Sequence, residues 1–217
     1  MLHRIVEPRK ITLEWKGPYS LHPNYEPSIS AEDIPSSPAV YMWTIATNEG
    51  HRIAYVGESG NLLSRQYQHI RDTLGGGYEL YDDEYFNGSL PNKEADPYKP
   101  SPQDLNLEFV RNFESLSSRA LRNLTSYRWF WAVPKERGED VETKVRKLVE
   151  SAIITEARER DPHLRKNNEL GHGEGTIQNT RVSLRPRPEC PIEVHSEFAS
   201  ETDRPKDSKL EVPYVVS

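Results

Sequence analysis

Two tyrosines, an arginine, a histidine and a glutamate in this chain are of the types that match the needs of phosphodiester cleavage. Tyr41 and Tyr55 flank Asn48-Glu49-Gly50, Arg65 follows Tyr55 by ten residues, His69 follows Arg65 by four, and Glu150 lies far downstream. Cleaving a phosphodiester needs a water deprotonated near phosphorus, positive charge on the non-bridging oxygens, and a group or metal at the leaving oxygen. The Arg65 guanidinium is a planar fork suited to two phosphate oxygens. A single helix glutamate such as Glu150 is enough to hold Mg²⁺ or Mn²⁺, because such an ion keeps several waters and completes its shell with substrate phosphate. A phenol has a reference pKa of ~10, so Tyr55 serves as a base only where a cation lowers it; His69 needs no such help.

These residues need elements to position them. Ala39 to Ala46 is rich in Val, Tyr, Trp, Thr and Ile, Asn48-Glu49-Gly50 supplies a turn, and Arg52 to Gly57 is a second β-type run, so a β-hairpin is predicted. With a three-residue turn over 48–50, facing positions sum to 98. Trp43 then opposes Tyr55, and Tyr41 lies diagonally beside it on the same face. A two-residue turn would put the phenols on opposite faces. Ser59 is the expected cap of a helix running to Leu74, with Leu63, Tyr67, Ile70 and Leu74 as its buried stripe and Gly75-Gly76-Gly77 as its stop. Arg65 and His69, one turn apart, share a face beside that stripe.

Ile11 to Trp15 alternates as a half-buried strand, and Arg128 to Val133 is a further strand closed by Pro134. Ser101-Pro102 can open a helix through Leu105, Phe109, Phe113 and Leu116, broken near Ser117-Ser118. Asp140 to Arg160 is the longest helix, its Val141, Val145, Leu148, Val149, Ala152 and Ile153 facing inward. Among the five glutamates of 139–160, Glu150 stands beside Val149 and just ahead of the most apolar stretch.

The 217 residues suffice for one domain with decoration. No apolar run approaches the ~18 residues of a spanning helix, so membrane insertion is not expected. The start, Met1 to Lys10, scatters Arg4, Glu7, Arg9 and Lys10 and does not read as a secretory signal. The single Cys190 excludes an internal disulfide and a cysteine-based zinc site, and a cytoplasmic protein is expected. The net charge of -6 speaks against nucleic acid, but its distribution weakens that objection. Residues 75–100 hold six acids and two bases, and 186–217 hold seven acids and four bases, so the remainder carries about +1.

The order strand, turn, strand, helix, with Ala39-Val40-Tyr41, Tyr55-Val56-Gly57, Arg65 and His69, then Glu150 ahead of Ala152-Ile153-Ile154, Pro162 and Asn167, resembles the GIY-YIG nuclease superfamily. The match covers about 39–72 and 128–168. The resemblance implies a small, mainly antiparallel three-stranded sheet flanked by helices, an α+β domain acting as a metal-dependent DNA endonuclease. By resemblance Tyr55 is general base or water-orienting residue, Tyr41 hydrogen-bonds in the same pocket, Arg65 stabilises the transition state, His69 moves a proton or positions phosphate, Glu150 holds Mg²⁺ or Mn²⁺, and Asn167 orients a loop, Asn168 being an equal choice. Glu58 departs from the basic or polar residue common after the second motif and would repel phosphate unless it turns away or helps bind metal. The nuclease domain is expected over 39–185, after an N-terminal extension over 1–38. An irregular insertion over 75–127 would carry target choice, as in a restriction-like enzyme. Within it the acidic aromatic block Tyr78, Tyr81, Tyr85 and Phe86 reads first as solvated linker. Residues 186–217, with five prolines, read as a disordered or extended tail that could recruit a protein partner. A catalytically silent binding module is the alternative.

Overall fold

A computed structural model describes residues 9–22, 24, 29–47, 50–78, 80–81, 86, 107, 110–160, 192–198 and 214–215. Strand β1 (Arg9–Tyr19) is followed by the hairpin β2 (Ala39–Thr47) and β3 (Gly50–Ser59), helix α1 (Leu62–Leu74), helix α2 (Phe113–Ser126) and strand β4 (Tyr127–Ala132). A short hairpin, β5 (Lys135–Glu136) and β6 (Glu139–Asp140), leads into helix α3 (Thr143–Arg160), and the strands β7 (Ile192–Phe198) and β8 (Tyr214–Val215) close the chain. The α+β class is as expected, but the sheet is larger than three strands. Its antiparallel path runs β3-β2-β4-β1-β5-β6, with β7 alongside β1 and β8 on β7.

Three of the extra strands, β1, β7 and β8, come from the two stretches assigned to the ends. β1, expected in an extension, pairs antiparallel with β4 inside the main sheet. Within the stretch read as a disordered or extended tail, β7 pairs parallel with β1 over Arg9 to Trp15. Backbone pairing does not require an apolar sequence, so the proline count of this region gives no sign of its strand. The Glu139-Asp140 pair, expected to open the long helix, instead closes a tight hairpin through Arg137 and Gly138. Both of these have positive φ, 54° and 86°, as hairpin turns demand. Helix α3 therefore begins at Thr143.

Period-two alternation divides the strands between two faces. Val40, Met42, Val56, Phe130 and Leu13 turn toward α3 and its Val145, Val149, Ala152 and Ile153, forming the main core. Ala39, Tyr41, Trp43, Tyr55, Trp129 and Trp131 turn to the other face and meet Leu62 of α1. The first face is aliphatic and the second aromatic.

The hairpin register reaches the expected result by a different route. Thr47 faces Gly50, so two residues rather than three separate the paired ends, and pairs near the turn sum to 97. A bulge at Ala54 then adds one residue to β3. Beyond it Trp43 faces Tyr55 and Tyr41 faces Gly57, with sums of 98. The bulge also lets Ile53 stay with the α3 core while Tyr55 turns to the aromatic face.

Helix α1 corrects two expectations. Its cap is Asn61, whose Oδ1 accepts from the Ser64 N–H at 2.9 Å, while Ser59 Oγ accepts from the Asn61 N–H at 3.1 Å. Its buried face is Leu62, Gln66, His69 and Thr73, whereas Tyr67 is 57% and Leu74 41% exposed. The two stripes have the same spacing and are offset by one residue, about 100° around the helix.

Helix α2 starts at Phe113 and runs unbroken past Ser117-Ser118. Both serine hydroxyls bond back to the Glu114 carbonyl, so they are satisfied without interrupting it. Of the insertion, Leu80 is fully buried against Leu116 and Ala120, and Tyr81 and Phe86 pack on Ile45 and Ala54. This part of the block is packed rather than solvated linker. Asn167, Asn168, Pro162, Cys190 and Tyr85 lie outside the described residues.

Candidate active site

Tyr41, at 2% exposure, occupies the centre of the aromatic face. Its ring is packed against the backbone of Gly57, the residue opposite it. A Cβ at position 57 would lie 2.5 Å from the Tyr41 hydroxyl oxygen, 2.6 Å from Cζ and 2.9 Å from Tyr55 Cε1. Only glycine leaves room for this approach, which fixes how deeply the phenol sits. The Tyr41 and Tyr55 ring centroids are 5.9 Å apart, so the two phenols converge as expected.

Helix α1 lays its polar face over them. His69, also 2% exposed, places Nε2 2.7 Å from the Tyr41 hydroxyl. Its ring meets Tyr55 edge-on at 5.5 Å and Trp43 at 4.8 Å. Gln66 receives the Trp43 indole N–H at 3.3 Å, and Thr73 bonds back to the His69 carbonyl at 2.8 Å. The buried face is thus polar because each polar group on it has a partner below or behind. Arg65, one turn before His69, directs Nε to the Tyr41 hydroxyl at 3.4 Å and Nη1 to Gln68 at 2.7 Å.

Glu150 lies on α3, which packs on the opposite side of the sheet. It is partly buried on α3 and accepts a hydrogen bond from the Glu58 backbone N–H, at the far end of edge strand β3. Its pKa is pushed up to about 7, first by burial and then by the Glu58 charge, with the Glu58 N–H, Lys147 and Arg65 opposing. The Glu150 charge is felt in turn at Tyr41.

Burial raises the phenols. Tyr41 lies above its usual value through desolvation, although its hydrogen bond from Arg65 and the guanidinium charge act downward. Tyr55 lies well above, through desolvation, the Tyr41 charge and the bond to Tyr41. For Arg65, burial opposes the charge, but the bond and charge of Tyr41 outweigh it, so the guanidinium is held more firmly charged.

The structure therefore brings together Tyr41, Tyr55, Arg65 and His69 from β2, β3 and α1, and Glu150 on α3 is coupled to Tyr41 and Arg65 through its charge. Two further residues belong to the arrangement and were not singled out in the sequence. Arg146, one helical turn before Glu150, is buried and pairs with Glu58 at 3.3 Å, turning that carboxylate toward α3. An arginine four residues before a glutamate on an otherwise apolar face was the available signal. Tyr78, in the acidic aromatic block, places its hydroxyl 2.9 Å from His69 Nδ1. Nothing in its spacing to His69 marks it, because it lies beyond the helix end.

Among the described residues no group of three or more His, Cys, Asp or Glu side chains gathers into a metal cage. The residues nonetheless fit a hard divalent ion at Glu150. A half-buried carboxylate whose proton affinity is raised by a second carboxylate gains most from a cation, and Mg²⁺ needs no fuller protein cage. Among the described residues no helix is long and apolar enough to cross a membrane. A scan against protein-family models finds no match for this chain, and neither curated proteins nor solved structures return one.

Proposed function

We propose that the chain is a metal-dependent endonuclease that hydrolyses DNA phosphodiester bonds, a restriction-like enzyme of the GIY-YIG type. The observation that carries this reading is the convergence of two phenols, a guanidinium and an imidazole from three elements, with a half-buried carboxylate on a fourth coupled to them through its charge. Arg65 binds the non-bridging phosphate oxygens and offsets the charge that grows on them. Glu150 holds Mg²⁺ or Mn²⁺, which when bound supplies charge neutralisation at the scissile phosphate and the leaving oxygen. Tyr55 orients the attacking water. Its raised pKa disfavours a phenolate, so Tyr55 meets the water as a neutral phenol and not as a preformed base. Tyr41 fixes Arg65 and His69 against each other through its hydroxyl.

Glu58 is no obstacle, because its charge is matched by Arg146. The test is a nicking assay on supercoiled, linear and branched DNA with Mg²⁺ or Mn²⁺. Cleavage by the parent and its loss in Glu150→Ala with binding retained is the expected result. Intact DNA in every form, with Glu150→Ala binding as the parent does, overturns the nuclease reading in favour of a silent binding module.

A further inference from the structure

We infer that Tyr78 is the outer end of a proton relay, Tyr55 to Tyr41 to His69 to Tyr78, that carries the proton of the attacking water out of the buried site. The inference rests on the nuclease reading and extends it to a residue outside the motif. It follows from counting donors and acceptors.

A phenol has one proton to give and two lone pairs, and a neutral imidazole donates at one nitrogen and accepts at the other. The Tyr55 and Tyr41 rings lie 5.9 Å apart, and in the proposed row Tyr55 donates to the Tyr41 oxygen. Arg65 Nε–H also donates to the Tyr41 oxygen. Both lone pairs of Tyr41 are then occupied, and its own proton is left for the group 2.7 Å away, His69 Nε2. With Nε2 accepting, the ring proton sits on Nδ1 and is donated to the Tyr78 oxygen 2.9 Å away. His69 is thereby held in one tautomer, and every bond in the row points the same way. Tyr78 is half-buried, whereas Tyr41 and His69 are fully buried, so the row leads from the interior toward solvent.

The transfer balances without a charged intermediate. As the water oxygen bonds to phosphorus, its proton moves to the Tyr55 oxygen and the Tyr55 proton moves to Tyr41. The Tyr41 proton moves to Nε2, the Nδ1 proton to Tyr78, and the Tyr78 proton to solvent. Each phenol and the imidazole end neutral, and the ring ends as the other tautomer. No phenolate forms, which suits a site where burial holds both inner phenols protonated.

The experiment pairs Tyr78→Phe with ¹⁵N spectroscopy of the His69 ring in the full chain. Phenylalanine keeps the ring and removes the acceptor. The parent should show protonated Nδ1 and unprotonated Nε2. Tyr78→Phe should lower kcat on the order of 10²-fold with KM unchanged. A parent proton on Nε2 overturns the relay whatever the kinetics. Parent-like kcat in Tyr78→Phe overturns it too, yet leaves the nuclease reading standing. A parent that cleaves no DNA removes the nuclease reading and the relay with it.

Discussion

Alanine at position 57 should damage both stability and cleavage, because the added methyl has nowhere to go. It would lie 2.5 Å from the Tyr41 hydroxyl oxygen, against an ordinary contact of about 3.5 Å, so the phenol must retreat by roughly 1 Å. Tyr41 cannot simply rotate away. Its ring is 98% enclosed, its hydroxyl is bonded to His69 at 2.7 Å, and Tyr55 blocks one side. Overpacking of this kind costs about 1–3 kcal/mol, and a stretched Tyr41–His69 bond adds ~1 kcal/mol. The unfolding free energy should therefore fall by about 2–4 kcal/mol. A displacement of ~1 Å in a site of positioned groups lowers kcat by on the order of 10². Urea unfolding gives the first quantity and plasmid nicking the second. Equal midpoints and equal nicking rates for parent and Gly57→Ala would show that Tyr41 is not pinned by the glycine opposite it, and the account of the site would fall.

Removing the Glu150 charge should change stability with a definite pH dependence. Its folded pKa of about 7 lies above the unfolded 4.5, so its contribution is whole below 4.5 and lost as pH rises through 7. Without divalent ions, Glu150→Gln should gain on the parent by ~3 kcal/mol between pH 4.5 and 8, read by urea unfolding in EDTA. A constant difference across that range would refute it, and Mg²⁺ should stabilise the parent but not the variant. Arg146→Met should cost about 3 kcal/mol, because Glu58 is left largely enclosed without its partner. Adding Glu58→Leu should restore more than half, and a double-mutant cycle with no coupling between the two positions would contradict the pairing.

What the sequence revealed and what it concealed have different physical causes. The hairpin and its paired phenols were legible because β-branched and aromatic runs around a turn leave few alternatives. Their shared face was derived from a three-residue turn, whereas the protein combines a two-residue separation with a bulge at Ala54. Two changes of one residue cancel, so the face was right and the route was not. Helix α3 was legible because its apolar positions recur at helical spacing against an aliphatic sheet face. Helix α1 was misread for the same reason. Apolar periodicity assigned Tyr67 and Leu74 to the interior, but the surface beneath α1 presents phenol and indole groups that call for partners. The buried stripe is therefore the polar one, one residue away. Tyr78, β7 and the β5–β6 hairpin depend on long-range or turn geometry that local patterns do not encode.

The charges around Glu58, Arg65 and Glu150 bear on whether an acidic chain suits the phosphate chemistry of the proposed function. Glu58 looked like a repulsive neighbour in the sequence, yet Arg146 rises from α3 to meet it and leaves the pair close to neutral. Tyr41 and Tyr55 stay protonated because they are buried, so they add dipoles without adding charge. Beside them stand the firmly charged Arg65 guanidinium, the Lys147 charge and the Glu150 carboxylate, which ionises near pH 7. A divalent cation beside that carboxylate would hold it ionised and turn the local balance positive. On this reasoning anion binding at the site is conditional on the metal, and the metal's affinity in turn rises when a phosphate is present.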